Sequence, residues 1–148
     1  MTTLAFRPLD ENDRAHWAAM RHALWPDGSL EEHGKDIGRV LAGGDYWGFV
    51  AMLEGQAVGF AEIAIRKYAN GCESMPVPFL EGIWVNPQHR RRGISRSLVA
   101  HVEEFVRARG FREIGSDALL DNRASHAAHA GWGFAETERV VYFRKVLG

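Results

Sequence analysis

Apolar residues recur along this chain in two distinct periods. Trp17, Met20 and Leu24 fall three to four residues apart, which predicts a helix over 12–25 that Pro26 stops. "SLEEHGKDIGRVLAG" predicts a second helix, weakened by its internal glycines. The run 46–53, the pair Glu54-Gly55 and the run 56–68 read as a β-hairpin. Short strands are expected at 4–9, 79–85 and 111–116, with a loop over 69–78. Ile94, Leu98, Val99, Val102, Phe105 and Val106 lie on one stripe and predict a helix over 94–109. A short helix over 122–130 precedes "FAETERVVYFRKVL", which reads as a closing strand. The order βαα-ββ-βαβαβ implies an α/β (α+β) chain with a mixed sheet and helices on both faces.

The 148 residues suit a single domain, 1–148, and their 25% charged content suits a soluble globule. Cys72 is the lone cysteine, so no intramolecular disulfide can form. The N-terminus has no apolar signal core and no run reaches the ~20 apolar residues of a membrane span, so the chain reads as cytoplasmic and membrane-free. Charge changes this picture. Residues 1–80 hold 7 Lys/Arg against 11 Asp/Glu, whereas residues 81–148 hold 11 against 8. An acidic front and a basic back suit two ligands of opposite sign, although solvated surfaces also vary in this way.

The basic half is concentrated in "QHRRRGIS", Gln88 to Ser95, between the end of a strand and the start of a helix. Free N–H groups and the positive dipole end make a helix start an anion site, and glycine allows close backbone approach. A phosphate or pyrophosphate is the natural guest; a solvated basic face is the plainer alternative. Neither G-x-x-x-x-G-K-[ST] nor G-x-G-x-x-G occurs, and a chain of net charge −1 lacks the wide basic face that nucleic acid needs. No metal site is expected.

The spacing V-x-P-x-x-R-x-x-G-x-S, Val85 to Ser95, resembles the acyl-CoA pyrophosphate signature R/Q-x-x-G-x-G/A of the Gcn5-related N-acetyltransferase (GNAT) superfamily, with Ser95 in place of Gly or Ala. The resemblance implies a mostly antiparallel central sheet whose strands splay at the acyl-CoA site, and acetyl-CoA as co-substrate. Ile83, Trp84 and Val85 would hold the pantetheine arm and thioester through their backbone. Arg91, Arg92, Gly93, Ile94, Ser95 and Arg96 would cradle the pyrophosphate. Asn122 matches an asparagine that touches pantetheine, and is equally placed to cap a helix.

On alternation, Phe79, Glu81, Ile83 and Val85 share one face of their strand. A carboxylate among apolar neighbours needs a partner. Glu81 is therefore either ion-paired or at an exposed edge, or it is a base that relays the proton of an attacking amine. Cys72 has no local histidine to activate it, so direct transfer to the amine is the simpler route. The family's usual tyrosine, seven residues after the asparagine, is replaced here by His129, a candidate proton donor to the thiolate or a packed helix histidine.

"LWP" (24–26), the stretch 59–85 and "GWGFAETERVVYFRK" extend the resemblance to the aminoglycoside 6′-N-acetyltransferases over the whole chain. This implies acetyl transfer to the 6′-amine of an antibiotic polycation, antibiotic resistance and a homodimer. The matching acceptor positions are Trp25, Tyr68, Glu81, Asp117 and Glu138. Carboxylates answer ammonium groups, and aromatic faces answer sugar rings. A polyamine or peptide-amine acetyltransferase, or a non-catalytic acyl-CoA-binding module, would carry the same donor motif.

Overall fold

A computed structural model describes residues 3–148. The chain runs β1 (Leu4–Pro8), α1 (Arg14–Leu24), α2 (Leu30–Leu41), β2 (Tyr46–Leu53), β3 (Gln56–Arg66), β4 (Val77–Val85), α3 (Ile94–Ala108), β5 (Gly115–Ser116) and α4 (Arg123–Gly131). The strands form one sheet in the order β1-β2-β3-β4-β5. Every pair is antiparallel except β4–β5, which is parallel.

Local chemistry sets the helix starts. Asp10 and Asp13 cap each other's backbone in a short turn before α1, and Ser29 and Glu32 do the same at α2. Trp17, Met20, Ile37 and Val40 press α1 and α2 onto Val50 and Phe60 of one sheet face. Leu98, Val102 and Val106 of α3 cover Phe49, Ala61, Ile63 and Leu80 on the other. Each such side chain contributes about 1.5–3 kcal/mol when fully buried. The expected two-faced, mostly antiparallel α/β architecture is therefore present.

Four expectations change. The strand predicted at 79–85 begins at Val77, which shortens the preceding loop. The strand predicted over 111–116 shrinks to Gly115–Ser116, because only Phe79↔Gly115 and Leu80↔Ser116 pair before β4 and β5 part. The closing strand does not form: 134–147 makes no ladder, and Val141, Tyr142 and Phe143 are 77%, 79% and 92% exposed. A strand needs a partner edge, and the two-residue β5 offers almost none. Finally, Phe79, Glu81, Ile83 and Val85 do not share a face. Glu62 pairs with Gly82 and Ile63 with Leu80, so Glu81 is the extra residue of a bulge. Beyond it the alternation is reset, and Leu80 and Ile83, three apart, both reach the α3 side.

Candidate active site

The donor side is built from contiguous residues. β4 ends at Val85, and the Asn86 side chain accepts from the Gln88 N–H to start a turn over Pro87–His89. Arg90 folds back, its Nε donating to the Val85 carbonyl at 2.9 Å. Arg91 and Gly93 both take left-handed backbone, at φ 65° and 76°. Left-handed residues are the backbone ingredient of an anion nest, in which successive N–H groups converge. α3 then starts with no side-chain cap, so its first N–H groups have no protein partner from the cap residue.

Val85, His89, Arg91, Gly93, Ser95 and Trp132 line a groove at this point. Arg96 and Ile94 also border it; Arg92 is exposed and does not. The Trp132 indole N–H reaches the Ser95 hydroxyl at 3.4 Å, so the serine that departs from the family signature is held by a bond Gly or Ala would lack. Among the described residues, His89 Nδ1 is the buried side-chain nitrogen left without a partner, and its ring lines the groove. Nothing lies within 4 Å of where a Gly93 side chain would begin. An open glycine, an unpaired ring nitrogen and arginine donors fit the diphosphate of an acyl-CoA.

From this loop the β4 edge runs back toward β5, unpaired on that side from Glu81 to Val85. Ile83 and Trp84 anchor it by packing into opposite cores, leaving the edge backbone to face the opening. Val85 is less free, since Arg90 takes its carbonyl. His129 stands on the β5 side. Its Nε2 is 2.7 Å from Ser116 Oγ, and its Nδ1 is 2.7 Å from the Ser125 carbonyl oxygen. A carbonyl only accepts, so Nδ1 carries a proton, and in the neutral ring Nε2 accepts from the Ser116 hydroxyl. The ring also packs on Trp132 and Phe134, so it is a packed histidine and a bonded one together. Asn122 caps α4, accepting from the Ser125 N–H at 3.1 Å. Its amide N–H groups remain available to a ligand.

The acceptor side is assembled from distant segments. Glu81 receives both Arg66 Nε and a terminal Arg66 nitrogen, each at 2.8 Å. The Arg66 guanidinium lies 3.6 Å over the Phe79 ring. Its pKa is raised, first by the Glu81 bond and further by the Glu81 and Asp117 charges, against burial. Beside Glu81, a side chain on Gly82 would collide with the Trp25 ring, so this glycine lets Trp25 approach the bulge closely. Trp25 is braced by Phe60 edge-on and by Arg21 at 4.7 Å. Arg21 in turn pairs with the fully buried Glu62, which also accepts from the Trp17 indole at 2.9 Å. Burial pushes the Tyr46 phenol well above its usual range, and the nearby Glu62 and Glu81 carboxylates add to the shift.

Of the five expected acceptor residues, Trp25 and Glu81 thus flank one bulge, and exposed Asp117 lies within electrostatic reach of Arg66. Tyr68, 68% exposed, follows Arg66 by two residues. Glu138 is exposed and sits beside Gly71 rather than at the bulge. Sequence reasoning missed Arg66, Ser116, His89 and the Arg21–Glu62 pair. Glu62 had left a signal, as the one charge inside the apolar run "GFAEIAI".

Comparison with known proteins agrees with this geometry. The profile of the acetyltransferase (GNAT) family matches residues 11–134. The aminoglycoside N(6′)-acetyltransferase type 1 of Serratia marcescens is 46% identical over 141 residues, 94% of this chain and 97% of the relative. Its counterpart in Klebsiella aerogenes is 43% identical over 145 residues, 95% of each. The solved complex of the aminoglycoside N-acetyltransferase AAC(6′)-Iy with CoA superposes with a TM-score of 0.93 at 39% identity, covering 98% of this chain and 96% of that one. AAC(6′)-Iy with the bisubstrate analogue CoA-S-monomethyl-acetylneamine gives 0.92, also at 39% identity, covering 98% and 99%.

Proposed function

Because the chain belongs to the acetyltransferase (GNAT) family, we propose that it is an aminoglycoside 6′-N-acetyltransferase, moving the acetyl group of acetyl-CoA onto the 6′-amine and so conferring antibiotic resistance. One observation carries this reading. A built anion nest at the end of β4 and a carboxylate at the β4 bulge stand at the two ends of a single unpaired strand edge.

Acetyl-CoA supplies an acyl thioester, whose carbonyl carbon forms the new C–N bond as the C–S bond breaks and thiolate leaves. The N–H groups of the loop 91–95, with Arg91, Arg96 and the His89 ring, hold the diphosphate. Backbone of Ile83 aligns the thioester and faces the developing oxyanion, since the Trp84 backbone, like that of Asn86, turns to β3; one such donor is worth about 3 kcal/mol. Glu81 orients the substrate ammonium and takes its proton, directly or through water, so that the amine attacks uncharged. Trp25 and Tyr68 offer faces to the sugar rings, while Asp117 and Glu138 answer further ammonium groups. With both ring nitrogens protonated, His129 passes its Nε2 proton to the Ser116 oxygen as that hydroxyl gives its own proton to the thiolate, which leaves the neutral ring bonded to the Ser125 carbonyl through Nδ1. This role is supported by Ser116, whose hydroxyl lies 2.7 Å from His129 Nε2 and 3.4 Å from the Leu80 carbonyl at the point where β4 and β5 part.

The enzyme acts as one domain and works as a homodimer. Support comes from the segment 135–148, whose exposed Val141, Tyr142 and Phe143 call for a covering surface. A second copy answers that need, and Phe143→Asp is expected to yield a monomer in light-scattering chromatography. A cytoplasmic location follows from the need for acetyl-CoA; among the described residues no helix is long and apolar enough to cross a membrane.

A thiol-release assay with acetyl-CoA tests the activity. Turnover with kanamycin that exceeds turnover with spermidine is the expected result. Preference for spermidine would make the chain a polyamine acetyltransferase, and CoA binding without thiol release from any amine would make it a binding module.

A further inference from the structure

Glu81 occupies an awkward position for a group that must meet a substrate in one orientation. As the extra residue of a bulge it has no cross-strand neighbour directly opposite. Its side-chain direction therefore depends on what the carboxylate itself bonds. That partner is Arg66, the last residue of β3, with two parallel N–H···O contacts of 2.8 Å. Arg66 is not free to wander, because its planar guanidinium lies against the 3%-exposed Phe79 ring at 3.6 Å. Such a fork takes one lone pair from each carboxylate oxygen and leaves one on each oxygen free.

We propose that Arg66 is a positioning residue for acetyl transfer: stacked on Phe79, it clamps both oxygens of Glu81 so that a remaining lone pair is held toward the incoming ammonium. It acts through Glu81 and need not touch the substrate. The clamp also offsets one negative charge in a site meant for a polycation. Fixing the carboxylate and attracting the acceptor are thus opposed tasks, and Arg66 serves the first. This inference rests on the reading of Glu81 as the acceptor-side catalytic group.

The opposition makes the clamp testable by separating kcat from KM. Arg66→Gln removes both charge and fork. Its kcat for kanamycin should fall about 10–100-fold, the range for a misplaced reacting group, while its KM stays level or drops because the site is one unit more negative. Arg66→Lys restores the charge without the fork. It should keep the low kcat and regain the wild-type KM. The double variant Arg66→Gln/Glu81→Gln should be no slower than Glu81→Gln alone, because a clamp with nothing to hold has no effect. Wild-type CoA affinity by calorimetry confirms that each variant is folded.

Wild-type kcat in Arg66→Gln, or a loss carried by KM alone, would overturn the clamp. Full rescue by lysine would also overturn it, since charge and not geometry would then be at work. The two readings fail separately. Undiminished turnover in Glu81→Gln removes the role of Glu81 itself, whereas a slow Glu81→Gln beside a fast Arg66→Gln removes only the clamp.

Discussion

The donor loop and the acceptor face meet at one strand, yet they are built on opposite plans. The loop 86–96 is contiguous, and its working groups are mostly backbone N–H, aimed by two left-handed residues. The acceptor face draws on α1, β3 and β4, with β5 bordering the opening, and its working groups are side chains held by other side chains: Trp25 by Arg21 and Phe60, Glu81 by Arg66. Backbone sites tolerate changes to individual side chains, whereas side-chain sites depend on every brace. Substitutions should therefore be graded differently on the two sides.

The largest effect is expected at Glu81. Glu81→Gln should lower kcat/KM for kanamycin by about 10²–10⁴-fold, as loss of an acid–base group does, and leave CoA binding by calorimetry unchanged. Comparable loss of CoA affinity would show that the two sides are not separable. Next comes the brace of Trp25. Gly82→Ala drives a methyl into the indole, so the ring must move, and KM for the aminoglycoside should rise about tenfold, the cost of losing roughly 1.4 kcal/mol of stacking. On the donor side, Gly93→Ala meets no neighbour and suffers only the left-handed backbone strain of about 1–2 kcal/mol. It should weaken CoA by about 5–30-fold at an unchanged aminoglycoside KM.

The smallest effect concerns how α1, which carries Trp17 and Arg21, is anchored. Asp13 is buried and accepts from Arg7 at 2.8 and 2.9 Å, from the Asp10 N–H at 2.8 Å, and from His16. The Arg7 bond, with the Asp10 N–H adding, holds its carboxyl well below the usual carboxylate range against the opposing cost of burial. A carboxyl depressed in the folded state adds stability above its unfolded value near 4, and loses it as pH falls below that value. Since Arg7 is half exposed, the contribution is about 1 kcal/mol. Urea unfolding at pH 6 and pH 3 should show a smaller drop for Asp13→Asn than for wild type.

The same contrast explains what could be read from sequence. The donor loop was legible because its chemistry is a spacing of neighbours, from Val85 to Ser95. Even there spacing does not tell which way a side chain turns: Arg92 is exposed and His89, not singled out from sequence, lines the groove. Helices and hairpin followed from periodicity. The bulge at Glu81 did not, because one extra residue in β4 shows only against the register of β3. Arg66 was hidden for the same reason: fifteen residues separate it from the carboxylate it holds. The expected closing strand had a strand's composition but pairs with no strand of the sheet.

All of this rests on where the co-substrate lies, and a crystal structure of the chain with bound CoA tests that most directly. Diphosphate oxygens should lie within about 3 Å of the N–H groups of residues 91–95, the sulfur between the Ile83 backbone and the Ser116–His129 pair, and the Glu81 carboxylate, still clasped by Arg66, should face the sulfur across the opening. CoA seated elsewhere, or Glu81 directed away from the sulfur, would contradict this arrangement.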